Sequence, residues 1–238
     1  NVWFAYVNED YVLKDVSFAL NKGKSLAIVG ATGAGKSSII NLITRLYDIQ
    51  KGVITIDDQD IRDLDLVALR KQVGVVLQDV FLFAGSVSEN VNVKNSTITK
   101  EQMVNAAASI DALPFIEGLG GSWDYEVMER GTTLSVGQRQ LISFIRAMAA
   151  NPKLLILDEA TSSVDSETEE LIQAATSRLM KGRTSFVIAH RLSTIKEADQ
   201  IMVLDKGRVV EIGTHDELLG KKGYYHELFQ KQFELVKT

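Results

Sequence analysis

Residues 25–37 read SLAIVGATGAGKS, an apolar run that ends in a glycine-rich loop. From Gly30 to Ser37 the loop fits the spacing G-x-x-x-x-G-K-[ST] at every fixed position. The apolar run predicts a strand, and the residues after Lys36 predict a helix. In that setting, backbone N–H groups and the start of the helix can together bind a polyphosphate. The stretch therefore predicts the strand–loop–helix unit of a phosphate-binding α/β fold.

The residues of this loop have separable tasks. Gly33 and Gly35 let the backbone approach a polyphosphate because they carry no Cβ atom. Lys36 is expected to reach the β- and γ-phosphates, and Ser37 is expected to place its hydroxyl on Mg²⁺. The alternative is a flexible glycine turn beside a solvated lysine, and the strand before the loop and the helix after it disfavour that alternative.

Four more apolar runs without alternation follow along the chain, at 73–78, 154–159, 184–190 and 200–205. Such runs are typical of strands that are buried on both faces of a parallel sheet, with helices between them. Helices are predicted at 35–46, 166–181 and 224–235. We therefore expect a doubly wound α/β core.

Two parts of the sequence depart from this pattern. Alternating residues predict antiparallel strands at one edge of the sheet, at 2–6, 16–20 and 52–58. Between 86 and 150 no strand pattern is found. There, Thr99 precedes Gln102 by three residues, which is the spacing of a helix capping box. This middle third is predicted to be helical.

Length and composition describe an ordered globular protein. The chain has 238 residues, of which 45% are hydrophobic and only two are proline. We predict a single domain over 1–238, in which 1–85 and 151–238 form the α/β core with its β edge and 86–150 forms an inserted helical subdomain. The sequence starts at Asn1 directly in the first alternating stretch, as expected of a domain that belongs to a longer polypeptide.

Charge and cysteine content disfavour several classes of protein. Without cysteine the chain makes neither disulfides nor thiolate chemistry, which suits a reducing compartment such as the cytosol. The net charge of −5 argues against nucleic acid as the main partner, because phosphate-backbone binders usually carry a concentrated basic surface. No apolar run reaches the roughly 18 uncharged residues that a membrane span needs.

Two adjacent carboxylates end the run at 154–159. Asp158 and Glu159 lie where an α/β sheet binds its ligands, at the carboxyl end of a predicted strand. Because successive strand residues point to opposite faces, the two acids should do different work. Asp158 can hold Mg²⁺, and Glu159 can orient or deprotonate an attacking water. The alternative is that both acids only cap the next helix.

Polar residues also end two other predicted strands. Gln78 ends the run at 73–78, and His190 ends the run at 184–190. Each is, by itself, more often structural than catalytic. However, four predicted strands carry such groups at one edge of the sheet: the phosphate-binding loop, a metal-binding acid, an amide and an imidazole. This coincidence favours one shared site over four separate structural roles. The other two histidines, His215 and His226, stand among helix-patterned polar residues and are predicted to lie on the surface.

A second helix start lies at 132–141, which reads TTLSVGQRQL. Ser135 precedes Gln138 by three residues, so a capping box is expected here too. With Ser135 and Gly137 exposed, this helix start is also an anion site that lacks a lysine. Either the second site is incidental, or it completes a nucleotide site that it cannot reach within its own subunit.

Taken together, these motifs resemble the nucleotide-binding domain of an ATP-binding cassette (ABC) transporter, in order and over essentially the whole chain. LSVGQ at 134–138 resembles the family signature LSGGQ, and SSVD at 162–165 resembles the D-loop. Gln78 corresponds to the Q-loop and His190 to the switch histidine. Tyr6 lies where the family stacks an aromatic ring on adenine, although an ordinary strand aromatic is the alternative. YEVMERG at 125–131 resembles a segment of exporters that meets the membrane domain.

The resemblance implies a P-loop NTPase core, with ATP and Mg²⁺ as cofactors. It implies a head-to-tail dimer with a second nucleotide-binding domain, a transmembrane domain as partner, and a place at the cytoplasmic face of the membrane. The implied catalytic residues are Lys36, Gln78, Glu159 and His190, and the implied metal-binding residues are Ser37, Gln78 and Asp158. The implied nucleotide-binding residues are Tyr6, Gly30, Thr32, Gly33, Ala34, Gly35, Lys36, Ser37, Ser38, Gln78, Ser135, Gly137, Gln138 and Asp165.

The sequence departs from the family at a few positions. Val136 replaces the first glycine of the signature, which costs little if it lies in the first helical turn, where φ is negative. Tyr125 and Met128 replace small residues of the exporter segment. Phe81, Leu82 and Phe83, which begin three residues after Gln78, can be either core or part of a docking site for a membrane helix.

Rival functions remain at this stage. One alternative is a soluble ABC-type ATPase acting on nucleic acid or ribosomes. This alternative does not account for the exporter-like segment at 125–131. A low-activity half of a heterodimeric transporter is disfavoured by Glu159 and His190. A GTPase should carry an N-K-x-D motif, which is absent, and neither a GTPase nor a small-molecule kinase explains residues 135–138.

Overall fold

The computed structural model describes residues 1–93, 97–159 and 166–231. The strands are β1 (Val2–Ala5), β2 (Tyr11–Val16), β3 (Ser25–Val29), β4 (Thr55–Ile56), β5 (Gln59–Asp60), β6 (Val73–Val76), β7 (Gly85–Ser86), β8 (Glu126–Val127), β9 (Leu154–Asp158), β10 (Thr184–Ile188), β11 (Gln200–Asp205) and β12 (Arg208–Gly213). The helices are α1 (Lys36–Ile43), α2 (Leu66–Lys71), α3 (Val87–Asn92), α4 (Lys100–Ser109), α5 (Leu113–Gly118), α6 (Val136–Ala149), α7 (Ser166–Met180), α8 (Leu192–Glu197), α9 (His215–Lys221) and α10 (Tyr224–Phe229).

A six-stranded sheet forms the centre of the fold, in the order β12-β11-β3-β10-β9-β6. All neighbouring pairs in it are parallel except β11 with β12. The expected α/β class, with a mostly parallel sheet, is therefore confirmed. Because the strands are parallel, the carboxyl ends of β3, β6, β9 and β10 meet at one edge.

Alternate residues of the central strands pack into two separate cores, one on each face of the sheet. Leu26 and Ile28 of β3 pack with the apolar side of α1. Ala27 and Val29 belong to the other core, to which α6 contributes Leu141, Ile142 and Ile145. Burial on both faces is what the unbroken apolar run of β3 predicts.

The β edge differs in part from its prediction. β1 pairs with β2 in antiparallel fashion, but β2 is Tyr11–Val16, so the strand expected at 16–20 is wrong beyond its first residue. The alternation there reflects burial without strand pairing: Phe18 and Leu20 pack partly buried against the core, and the Phe18 ring lies 5.8 Å from that of Phe186. Within 52–58, the pattern gives only the short strand β4, which pairs with β5.

Helices dominate the middle of the chain, as predicted. Capping boxes begin three of them, with Ser86, Thr99 and Ser135 as the capping residues. The expectation of a strand-free region between 86 and 150 is wrong in one detail, because β7 pairs with β8 over two residues each. Such short strands leave no alternating pattern to detect. The division of the chain into core and insertion stays a prediction.

The predicted helices are present. The helix expected at 35–46 is α1, which ends earlier, at Ile43. The helix expected at 224–235 corresponds to α10 (Tyr224–Phe229), and its predicted end at 232–235 lies outside the described residues. The helix expected at 166–181 is α7. Across the three described ranges, no helix combines the length and the apolar character needed to cross a bilayer.

Gly207, in the turn between β11 and β12, joins the β edge to the phosphate-binding loop. Its N–H donates to the carbonyl of Ala34 (3.0 Å), and its own carbonyl accepts from the N–H of Lys14 (2.8 Å). Its φ is +78°, and a Cβ atom there would lie 2.0 Å from the carbonyl oxygen of Val12. Only glycine fits this approach without a backbone shift.

Gly207→Ala is therefore expected to lower the free energy of unfolding by about 2–4 kcal/mol. The added Cβ atom would clash with the Val12 carbonyl, and alanine would be strained at this positive φ. Gly182→Ala is the matched control: φ is +70°, but no atom lies within 4 Å of the added Cβ. The control should lose only about 1 kcal/mol. Urea unfolding of both variants measures the difference, and equal losses would show that the approach of Val12 does not matter.

Candidate functional site

The loop at 30–37 joins β3 to α1 at the carboxyl edge of the sheet. Gly30, Gly33 and Gly35 have positive φ angles of 154°, 82° and 105°. Gly35 is the N-cap of α1, and no side chain caps this helix start. Its missing Cβ atom would lie 2.7 Å from Leu13. The N–H groups at the start of α1 are thus left without a side-chain acceptor, which suits binding of an anion.

Lys36 is held over this loop by the loop itself. Its side chain is buried, with 8% of the residue exposed, and Nζ donates to the carbonyls of Gly30 (2.7 Å) and Ala31 (3.0 Å). Burial lowers the pKa of the Lys36 ammonium, and the nearby charge of Asp158 acts against that decrease. The loop therefore presents a fixed positive charge near the strand end that carries Asp158.

The other loop residues divide into buried and exposed sets. Ala34 and Ser38 are buried, whereas Thr32 and Ser37 are exposed. Ala34 closes a tight turn by donating its N–H to the carbonyl of Ala31 (3.1 Å). A ligand can therefore reach the exposed hydroxyls of Thr32 and Ser37, and the assignment of Ser37 to Mg²⁺ stays a prediction.

Tyr6 lies beside the first turns of α1. Its hydroxyl is 3.1 Å from Ser38 Oγ and accepts from Asn41 Nδ2 at 3.1 Å. Its ring meets that of Tyr47 edge to face, with centroids 5.0 Å apart, and 44% of Tyr6 is exposed. The ring is thus fixed next to the phosphate-binding loop with a free surface on which a base can stack. Sequence reasoning missed Asn41 and Tyr47, which hold it.

Asp158 ends β9, beside Ile188 of β10 in the sheet register. Burial raises the pKa of the Asp158 carboxyl, the charge of Lys36 lowers it, and the charge of Asp79 raises it again. Asp79 was not among the predicted site residues. Its signal was its position next to Gln78, at the carboxyl end of β6. The two acids and the ammonium show that the ends of β6, β9 and the loop converge.

Glu159 is buried directly after β9, with 6% of the residue exposed. Its Oε2 accepts from the backbone N–H groups of His190 (3.1 Å) and Arg191 (3.2 Å), and its Oε1 accepts from the Thr194 hydroxyl (2.5 Å). Burial raises the pKa of the Glu159 carboxyl, and these three hydrogen bonds act against the rise. Thr194 and Arg191 are functional candidates that the sequence did not reveal.

His190 and Gln78 complete the group at this edge. His190 is partly buried, and burial together with the charge of Lys36 lowers the pKa of its imidazole, which favours the neutral ring at pH 7. Gln78 is exposed two residues after β6 ends. The structure thus brings Lys36, Asp158 and His190 within electrostatic reach of one another, with Gln78 at the adjoining strand end.

Ser135, Gly137 and Gln138 form a separate group at the start of α6. The predicted capping box is confirmed: Gln138 N–H donates to Ser135 Oγ (3.2 Å), and Ser135 N–H donates to Gln138 Oε1 (2.9 Å). Ser135 is exposed as expected, but the expected exposure of Gly137 is wrong: Gly137 is buried in the first turn of α6. Val136 is the first residue of that turn, the position at which its replacement of glycine costs little. Within the described ranges, no hydrogen bond joins this group to the loop at 30–37. Asp165, the predicted D-loop residue, lies outside the described residues.

Two further sequence interpretations have clear outcomes. His215 is not a free surface residue, because its Nδ1 lies 2.7 Å from the hydroxyl of buried Tyr225, and its ring packs against Phe229. His226 is also partly buried. The polar pattern concealed this because α9 and α10 pack against each other, a tertiary contact without a local signal.

The fold and the phosphate-binding loop define a nucleotide-binding ATPase domain of the P-loop class. Residues 13–162 match the family described as ABC transporter, and the chain therefore belongs to that family. It is 49% identical over 232 residues to an uncharacterized ABC transporter ATP-binding protein, YknV, of Bacillus subtilis. It is 48% identical over 233 residues to the beta-(1→2)glucan export ATP-binding/permease protein NdvA of Rhodopseudomonas palustris. Each alignment covers 98% of this chain.

A solved structure shares the whole fold. A bacterial Atm1-family ABC exporter with ATP bound matches 98% of this chain at a TM-score of 0.90 and 39% identity, over 41% of its own length. The chain spans 38% of the length of YknV and 39% of that of NdvA. It thus corresponds to about two fifths of these longer proteins.

Proposed function

We propose that this chain is the ATP-hydrolysing domain of an exporter, and that it works as a head-to-tail dimer with ATP bound between the two subunits. The observation that carries the proposal is the convergence of Lys36, Asp158 and His190 beside an uncapped helix start, with buried Glu159 next in the chain. The exporter assignment rests on relatives whose names describe export and on the segment at 125–131.

Binding of the triphosphate is assigned to the loop and its helix. The N–H groups from Gly33 to Ser38 and the Lys36 ammonium would take the phosphates. Lys36 now donates to two loop carbonyls, and a phosphate oxygen is a stronger acceptor for the same donors. Tyr6 would stack on the adenine through its exposed ring face.

The residues at this edge also fit Mg²⁺. Mg²⁺ in nucleotide sites is typically held by one or two carboxylates, waters and substrate phosphates. The described residues contain no cluster of three or more acidic, histidine or cysteine side chains, and Asp158 with the exposed hydroxyl of Ser37 fits the sparser pattern. Gln78 would add an amide oxygen. When bound, the ion would neutralise phosphate charge during hydrolysis.

Glu159 and His190 are assigned to the chemistry. The Glu159 carboxylate would orient the attacking water and accept its proton, since it is the acid next to the metal-binding Asp158. The neutral imidazole of His190 would donate a hydrogen bond to the γ-phosphate. Gln78 would contact the same water and metal.

The second half of each site would come from the partner subunit. Ser135 and Gly137 of one copy would donate to the γ-phosphate held by the loop of the other copy, and Asp165 would lie at the dimer interface. The exposed, capped start of α6 supports this assignment, because an anion there meets N–H groups and a hydroxyl.

An exposed apolar patch supports docking of a transmembrane partner. Phe81 and Phe83 are 49% and 52% exposed with rings 5.0 Å apart, and Leu82 between them is fully buried. Met128 is exposed on the segment whose Arg130 N–H donates to the carbonyl of Leu82 (3.1 Å). A cluster of exposed aromatic side chains whose backbone is fixed by a buried neighbour, here Leu82, is typical of an interaction site. The domain would then act at the cytoplasmic face of the membrane.

Ser135→Arg tests the assignment of the second half-site. A long charged side chain at the start of α6 should reduce ATP hydrolysis at least about tenfold, because it displaces phosphate donors from the partner's site. ATP affinity of the monomeric chain, measured by calorimetry, should stay unchanged. Ser109→Arg, at the exposed end of α4, is the control and should hydrolyse normally. A large loss of monomer affinity would place Ser135 in its own subunit's site and contradict the dimer.

A further inference from the structure

Glu159 is held by a single short segment. The N–H groups of His190 and Arg191 and the hydroxyl of Thr194 all donate to its carboxylate, at 3.1, 3.2 and 2.5 Å. Thr194 is itself buried, in the first turn of α8. Both carboxylate oxygens are therefore engaged by residues 190–194.

This arrangement differs from that of a general base in action. A base must present an oxygen to the water whose proton it takes, within about 3.2 Å of it. Glu159 is 6% exposed, and each of its oxygens already accepts a hydrogen bond from the protein. A carboxylate that is buried and held in this way would have to move before it could take a proton from the attacking water.

We propose that Thr194 is a positioning residue that holds Glu159 in this buried, resting position in the nucleotide-free subunit. The inference rests on the proposed function, in which Glu159 is the base. Of the three donors to Glu159, the Thr194 hydroxyl is the one that belongs to a side chain. A substitution can therefore remove this hydrogen bond without altering the backbone.

Residues 190–194, which donate the hydrogen bonds to Glu159, also include His190, the residue assigned to the γ-phosphate. His190 donates its backbone N–H to Glu159, and its imidazole lies close enough to Lys36 for that charge to alter the pKa of the ring. A shift of His190 towards a bound phosphate would move the N–H that holds Glu159. Release of the carboxylate would then follow occupation of the site.

Thr194→Val tests the inference, because valine keeps the shape and removes the hydroxyl. In the purified chain we expect kcat for ATP hydrolysis to rise about ten- to a hundredfold, as the loss of one charge-assisted hydrogen bond implies, with KM unchanged. Thr194→Ser, which keeps the hydroxyl, should behave as wild type. Thr176→Val is the matched control, since Thr176 is a buried threonine whose hydroxyl donates to the Ile172 carbonyl (2.8 Å). It should leave kcat unchanged.

Hydrogen–deuterium exchange gives a readout that does not depend on turnover. In the nucleotide-free chain, the amides of His190 and Arg191 should exchange faster in Thr194→Val than in wild type, and at the wild-type rate in Thr176→Val. Thr194→Ala serves the same purpose if the valine variant does not fold. An unchanged or lower kcat, or unchanged exchange at these amides, overturns the inference. Full turnover in Glu159→Gln would instead overturn the proposed function, so the two failures are distinguishable.

Discussion

Glu159→Gln is expected to reduce ATP turnover at least about a hundredfold while ATP still binds. Loss of a positioned general base typically costs 10²- to 10⁴-fold in rate. The amide keeps the size of the carboxylate and can still accept the N–H groups of His190 and Arg191, so the fold should be retained. Because the step that separates the subunits is blocked, the variant should accumulate as a dimer in the presence of Mg²⁺-ATP.

Two measurements test this prediction together. Turnover is followed by phosphate release, and the oligomeric state by analytical ultracentrifugation with and without Mg²⁺-ATP. Glu170→Gln is the matched control, because Glu170 is an exposed acid on α7. It should hydrolyse ATP as wild type does. A Glu159→Gln chain that stays monomeric at saturating nucleotide, or that retains turnover, would contradict the assignment.

Lys36→Met is expected to weaken ATP binding about a hundredfold or more. The variant keeps much of the apolar stem of Lys36 and loses the ammonium, whose hydrogen bonds to phosphate are each worth about 1.5–3 kcal/mol. It also leaves the carbonyls of Gly30 and Ala31 without the donor that now holds them at 2.7 and 3.0 Å. Both effects act on the loop that would bind the phosphates.

Calorimetric titration with ATP measures this loss directly. Lys153→Met, an exposed lysine before β9, is the control and should bind ATP with unchanged affinity. Thermal unfolding without nucleotide separates the two effects, since a lower Tm reports only the loss of support for the loop. Near-normal affinity in Lys36→Met would contradict the assignment of this loop as the triphosphate site.

Much of the candidate site could be predicted because its signals are local. The loop at 30–37 has fixed spacing, the strands around it are unbroken apolar runs, and the capping boxes at Thr99 and Ser135 span three residues each. Parallel pairing then brings strand ends together without further information. Residues such as Asp158 and His190 could therefore be assigned to one edge of the sheet from sequence alone.

The rest could not be predicted because it depends on contacts between distant residues. The bond from Thr194 to Glu159 joins residues 35 positions apart, and no local pattern marks Thr194. Asn41 and Tyr47, which hold the ring of Tyr6, are likewise brought to it by packing between distant residues. The strand expected at 16–20 failed for a related reason, since alternation reports which side chains are buried and not whether the backbone finds a partner.

In the proposed dimer, neither subunit holds a complete ATP site. Mixing Lys36→Met chains with Ser135→Arg chains tests it most directly, because each mixed dimer has one site made of an intact loop and an intact start of α6. The mixture should hydrolyse ATP faster than either variant alone, up to about a quarter of the wild-type rate if the chains pair at random. A mixture no more active than its two components would show that each site lies within one subunit, which contradicts the head-to-tail dimer.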